Sequence, residues 1–268
     1  MARTRRIKTD RDAHYHLMSR TNDRRFLFEA GAIKTELAAA LRRAAEFCGI
    51  ALKAYAVMSN HFHVVAKVVK PDEPVGQDEL LRRVGVLRGE KAMRRLAERW
   101  DELAAAGMED ELRSEQDRLR ARMHDISEFV KLFKEEFDRI YKRNRAYCGS
   151  IWSGRFASTL IEDGEYLSRC VRYVVYNPIR AGLATQAKDY TWCWREGGDE
   201  SEDSPTKPER WYGKRVVQIG MGGIFGSFEF VTAMAFSLGD RFSAGASPHP
   251  VGRIGHATHG WRIAKAVA

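Results

Sequence analysis

The chain has 268 residues, with 45 Lys and Arg against 36 Asp and Glu, a formal net charge of +9 and a pI near 9.5. At 44% hydrophobic and 30% charged it can bury a sizeable core, which excludes disorder throughout. No run of about 18 apolar residues is present, so a membrane-spanning helix is excluded as well.

His14 to Arg20 alternates loosely and predicts a first strand, closed by the polar turn Thr21-Asn22-Asp23. Ala32 to Phe47 carries Ile33, Leu37, Leu41, Ala44 and Ala45 at helical spacing, with Gly49 as a stop. Ile50 to Met58 and His61 to Val69 read as two strands joined by the short connection Ser59-Asn60. That order, β-α-β-β, opens a ferredoxin-like α+β sandwich: an antiparallel sheet with helices on one face. Gln77 to Arg145 is rich in Leu, Ala, Arg and Glu and predicts two or three helices, broken at Gly107. Its first part, 77–125, is expected to be a helical insertion that acts as a spacer. Glu162 to Tyr176 predicts a further helix that stops before Pro178, because the residue preceding proline avoids the α region. The composition turns to Gly, Asp, Glu, Ser and Pro near 197–210, a linker. Residues 211–268 form a C-terminal extension with a short apolar helix at Phe228 to Leu238 and a Gly/His/Pro-rich tail. The expected domain is therefore 10–196, followed by the linker and the extension.

The positive charge is uneven. Residues 1–25 hold eight Arg and Lys against three Asp. From Arg139 to Arg155 there are five basic residues (Arg139, Lys142, Arg143, Arg145, Arg155) and no acidic one, with Tyr141, Tyr147 and Trp152 interleaved. Cations for phosphates beside aromatics for bases suit single-stranded nucleic acid. A solvated helix end followed by core aromatics explains the same stretch. The four cysteines, Cys48, Cys148, Cys170 and Cys193, are scattered and read as reduced thiols. The first residues lack the apolar core of a signal peptide, so a cytoplasmic location is expected.

Chemistry enters at Met58-Ser59-Asn60-His61-Phe62-His63-Val64-Val65. On a strand His61 and His63 share one face while Phe62 and Val64 point to the other. Two neutral imidazoles so placed make half of a divalent-metal site, and a third ligand is needed. Surface histidines show the same spacing. An amidohydrolase barrel also opens with His-x-His, but the later histidines here crowd the tail, which fits that reading poorly. On the predicted Glu162–Tyr176 helix, Tyr173 lies one turn before Asn177 on the same side. A phenol could then act as nucleophile and an amide complete a metal site. Asn177 as a plain helix end is the simpler reading, as is a core role for Tyr166 and Tyr176.

Three segments together carry a resemblance: Met58-Ser59-Asn60-His61-Phe62-His63, then Gly149-Ser150-Ile151-Trp152-Ser153-Gly154-Arg155-Phe156, then Arg172-Tyr173-Val174-Val175-Tyr176-Asn177-Pro178-Ile179-Arg180-Ala181-Gly182-Leu183. They resemble the single-tyrosine transposases of the HUH class, the insertion-sequence-200-like superfamily, and within it the REP-associated tyrosine transposases. The likeness runs in order over about residues 10–195, with a fainter one at Gly226-Ser227-Phe228-Glu229-Phe230-Val231. It implies a transposase that cuts and rejoins hairpin-bearing single-stranded DNA with Mg²⁺ or Mn²⁺ as cofactor. By that likeness His61, His63 and Asn177 hold the metal, and Tyr173 forms a 5′-phosphotyrosine link. DNA contacts are expected from the basic segments through Arg3, Arg5, Arg6, Arg139, Lys142, Arg143, Arg145 and Arg155. Trp152, Arg155 and Phe156 match a family motif that implies packing near the site, and Trp152 is counted with the DNA contacts. The resemblance implies a monomer rather than a homodimer. The long 77–125 segment and the Gly/His-rich tail depart from compact members. Two alternatives remain at this stage: a domesticated protein that binds hairpin DNA without cutting it, and a nuclease in which water attacks.

Overall fold

A computed structural model describes residues 6–145, 147–198, 216–219 and 222–237. The first strand, β1 (Ala13–Arg20), leads into helix α1 (Gly31–Cys48), and β2 (Ile50–Val57) and β3 (His61–Val68) follow. Gly49 ends α1 at φ 63°, the left-handed conformation that glycine adopts without a Cβ penalty. Ser59-Asn60 is a two-residue hairpin turn, closed by the Met58 amide on the His61 carbonyl at 2.8 Å.

Four helices fill the middle of the chain: α2 (Gln77–Arg88), α3 (Glu90–Ala105), α4 (Glu109–Arg120) and α5 (Ile126–Arg145). This is one more than the composition suggested, because Gly89, at φ 88°, separates α2 from α3 as Gly107 separates α3 from α4. Strand β4 (Ala157–Ile161), too short to stand out in the sequence, precedes α6 (Glu165–Val175) and the single turn α7 (Asn177–Arg180). As expected, α6 stops before Pro178, which belongs to the separate turn α7. The proline sits in the first turn of α7, where its missing N–H breaks no bond. The described part closes with β5 (Cys193–Arg195), β6 (Val216–Ile219), β7 (Gly222–Phe225) and α8 (Phe228–Ser237).

The sheet has seven strands in the order β5-β2-β3-β1-β4-β7-β6. Its four central strands, β2-β3-β1-β4, are antiparallel throughout and follow the ferredoxin-like order. The extension adds to this sheet, β7 lying parallel to β4. Helices cover both faces and not one, as alternation along the strands explains. Tyr15, Leu17, Phe62 and Val64 pack towards α1 and α5. Ala54, Ala56 and Val65 on the other face meet Cys170, Val174 and Val175 of α6. The small side chains of Ala54 and Ala56 let α6 lie close to the sheet. Nearly all of the 197–210 linker and the tail beyond 237 lie outside the described residues, as do Arg3 and Arg5. Among the described residues no helix is long and apolar enough to cross a membrane.

Candidate nucleic-acid processing site

The α6 face of the sheet holds the polar residues. In the β1–β3 ladder Arg20 is paired with His61 and Met18 with His63, so His14, His16, Met18 and Arg20 share a face with the two histidines. The His61 and His63 rings stand 5.0 Å apart, nearly perpendicular. Tyr173 reaches them from α6, its ring 5.6 Å from His63 and 5.9 Å from His16. The strand pair and the tyrosine helix thus meet where the sequence placed a half-site and a phenol.

Each imidazole is held by its own partner. His61 Nδ1 lies 2.7 Å from Asn60 Oδ1, which makes that nitrogen the protonated one and leaves the lone pair on Nε2. His63 Nδ1 lies 2.9 Å from Nε2 of His16, a buried residue stacked on it at 5.1 Å. Burial, aided by Arg20, lowers the His61 pKa to about 4, and burial alone does the same for His16. His63 is pushed well below the usual value by burial, then by its neighbouring histidines and by Arg20 and Arg180. All three are therefore neutral near pH 7, the state a metal ligand requires. Among the described residues no cluster of three His, Cys, Asp or Glu side chains could hold a metal. A cation bound by His61 and His63 would need a ligand of another kind, and an amide is one. Asn177 donates from Nδ2 to the Tyr173 carbonyl at 3.0 Å, which fixes its amide beside the phenol.

Burial raises the Tyr173 pKa, while Arg180, a hydrogen bond from Asn177 and Arg20 work against that rise. The Arg180 guanidinium carbon sits 5.3 Å from the Tyr173 ring centre. His16, Arg20 and Arg180 escaped the sequence reading. A signal existed in the period-2 run His14-x-His16-x-Met18-x-Arg20, which places those side chains on one face of β1.

The expected DNA contacts divide. Arg139, Lys142, Arg143 and Arg155 are exposed. Arg145 is paired with Glu36 at 3.4 Å and lies over Tyr141. Arg6 donates to the Phe156 carbonyl at 2.8 Å and covers the Phe156 ring, its pKa lowered to about 10 chiefly by burial. Trp152 offers no stacking face. It is buried, donates to Asp138 at 2.6 Å and packs against Phe28, Phe62 and Phe137. The segment around it is tied to the end of β1 that carries Arg20, through Ser153 N to Arg20 O at 2.9 Å and Asn22 N to Ile151 O at 2.8 Å.

Residues 9–77 match the family model described as transposase IS200 like. The match includes His16, Arg20, His61 and His63, and stops short of Tyr173. Among solved structures, a REP-associated tyrosine transposase bound to a REP hairpin is 14% identical, with a TM-score of 0.44 over 72% of this chain and 82% of that one. A protein described as a transposase from Deinococcus radiodurans is 15% identical, with a TM-score of 0.33 over 66% of this chain and 97% of that one. No curated protein matches.

Proposed function

We propose that this protein is a transposase that cuts and rejoins single-stranded, hairpin-bearing DNA through a covalent link to Tyr173. The observation that carries the reading is the meeting of His63 and Tyr173, rings 5.6 Å apart, on elements widely separated in the chain. A neutral imidazole pair beside a half-buried phenol and two guanidinium groups suits a phosphodiester better than a neutral substrate. Residues 10–196 would form the catalytic domain, with 211–268 as its extension.

In the forward step Tyr173 Oη forms a bond to phosphorus and the bond from phosphorus to the 3′ oxygen breaks. The phenolic proton passes to solvent and the departing 3′ oxygen takes one up, leaving a 5′-phosphotyrosine and a free 3′-OH. Rejoining is the reverse attack by a 3′-OH, and no external energy is needed because the phosphoester bond is conserved. Mg²⁺ or Mn²⁺, held by His61, His63 and the Asn177 amide, would stabilise charge on the phosphate oxygens. His16 fixes the tautomer of His63, and Asn60 that of His61. Arg139, Lys142, Arg143 and Arg155 are the exposed cations proposed to follow the DNA backbone.

The test is a labelled single strand carrying a hairpin, incubated with Mg²⁺ or Mn²⁺ and resolved under denaturing conditions. A protein–DNA adduct is expected, absent in Tyr173→Phe and in His61→Ala. An adduct that survives Tyr173→Phe and is lost in Tyr166→Phe or Tyr176→Phe would move the nucleophile. Binding without cleavage would favour a domesticated hairpin-binding protein, and cleavage leaving free 5′ ends a water nucleophile.

A further inference from the structure

We propose that Arg20 and Arg180 form a two-sided clamp for the non-bridging oxygens of the phosphate that Tyr173 attacks. The proposal rests on the strand-transfer reading and assigns it two further catalytic residues. Arg20 stands opposite His61 in the β1–β3 ladder, on the same face of the sheet. Paired residues of that kind hold their Cβ atoms about 5 Å apart, and the Arg20 charge acts on His61, His63 and Tyr173. Arg180 approaches from α7, over the face of the Tyr173 ring at 5.3 Å. One cation is thus carried by the sheet and the other by α7, the turn after the tyrosine helix, and both act on the Tyr173 phenol.

Among the described residues neither arginine forms a salt bridge, and the buried Nε of Arg20 has no hydrogen-bond partner. No carboxylate joins the His61–His63 pair to form a cluster, as the absence of any three-residue metal group among the described residues requires. Positive charge that no described carboxylate pairs calls for an anion from the substrate. A phosphodiester supplies two oxygens that match guanidinium geometry. As the Tyr173 Oη–phosphorus bond forms and the bond to the 3′ oxygen breaks, those oxygens gain charge. Donors already in place then stabilise the transition state more than the bound substrate.

The experiment compares an ordinary hairpin substrate with one carrying a methylphosphonate at the cleaved position, which removes the charge on one non-bridging oxygen. Adduct formation is timed for the wild type, Arg20→Ala, Arg20→Lys and Arg180→Ala, and hairpin affinity is measured alongside. Removing one such donor is expected to slow the ordinary substrate about 100-fold with hairpin affinity nearly unchanged. The methylphosphonate should slow the wild type by a similar factor and each alanine variant by little more. Arg20→Lys keeps the charge without the fork and should recover part of the rate, which separates clamp from scaffold. Alanine variants that react at the wild-type rate, or that retain the full methylphosphonate penalty, would overturn the clamp while leaving the Tyr173 reading intact. A wild type that forms no adduct with the ordinary substrate would remove both.

Discussion

His16→Ala tests how the histidine pair is organised. The His16 Nε2 to His63 Nδ1 bond is 2.9 Å long, the rings are stacked 14° from parallel, and both residues are buried. With His63 Nε2 as the ligand atom, Nδ1 carries the proton and donates to His16. Removing the acceptor leaves a buried N–H unsatisfied, at about 1–3 kcal/mol. It also frees the other tautomer, and losing such a partner typically lowers metal affinity about 10–100-fold. The two figures agree, since tenfold corresponds to about 1.4 kcal/mol. Mn²⁺ titration by calorimetry or electron paramagnetic resonance reads the affinity, and a urea melt in chelator reads the stability. His16→Gln, whose Oε1 can accept the same proton, should recover much of the affinity. An alanine variant that loses stability yet binds Mn²⁺ as the wild type does would make His16 a packing residue and refute the argument.

In chelator, stability should fall as pH drops from about 6.5 towards 4, because His16 and His61 stay neutral in the fold to about pH 4 while the unfolded chain protonates near 6.5. Each depressed histidine contributes a slope approaching about 1.4 kcal/mol per pH unit in that window, and a flat urea midpoint would contradict the burial described. Trp152→Ala should cost about 3–5 kcal/mol in a urea melt, since the indole fills space between Phe28, Phe62 and Phe137, whereas Trp152→Phe should cost far less. If Trp152 instead contacts DNA, both variants would lose hairpin affinity without that stability difference. Arg143→Ala should lower the slope of log affinity against log salt by about one, and Arg94→Ala should leave it unchanged; the opposite pattern would place the DNA on the helical insertion.

The central fold was legible because its signals are local. The His61–Val68 strand carries its own alternation, α1 its own apolar stripe, and Ser59-Asn60 its own turn chemistry. β4, β5, β6 and β7 were not, because strands of three to five residues have little periodicity and are held by neighbours distant in sequence. The second helical layer was hidden for the same reason. Nothing in Glu165–Val175 by itself tells that Cys170 and Val174 will meet Ala54 and Ala56. At the site the residue types were readable and their partners were not. His-x-His announces a pair, but only the β1–β3 register brings His16 onto His63 and Arg20 opposite His61. The polar turn after β1 holds a further feature that residue types do not disclose. Asp23 and Arg24 both adopt positive φ there, braced by Asn60 Nδ2 on the Arg24 carbonyl at 3.0 Å. That contact ties the turn to the hairpin presenting His61.

The net charge gains meaning once the insertion is set aside. Residues 77–125 contain eleven Arg and Lys against twelve Asp and Glu, so the surplus of +9 lies wholly outside them. Within the insertion many arginines are paired along their own helices, as in Arg83 with Glu79, Arg94 with Glu90 and Arg120 with Asp117. Such pairs leave little field for a polyanion to follow. The insertion packs on α1 through α2, on the face of the sheet opposite Tyr173. Outside the insertion, Arg20 and Arg180 sit at the histidines with no salt bridge among the described residues, while Arg139, Lys142 and Arg143 are exposed at the end of α5. The segment that follows α5 is bonded back to Arg20 through Ser153. The proposed backbone contacts and the proposed chemistry therefore share one end of the sheet, where β1 finishes and β3 begins. A single strand laid along that end would pass the exposed cations before its phosphate reaches Tyr173.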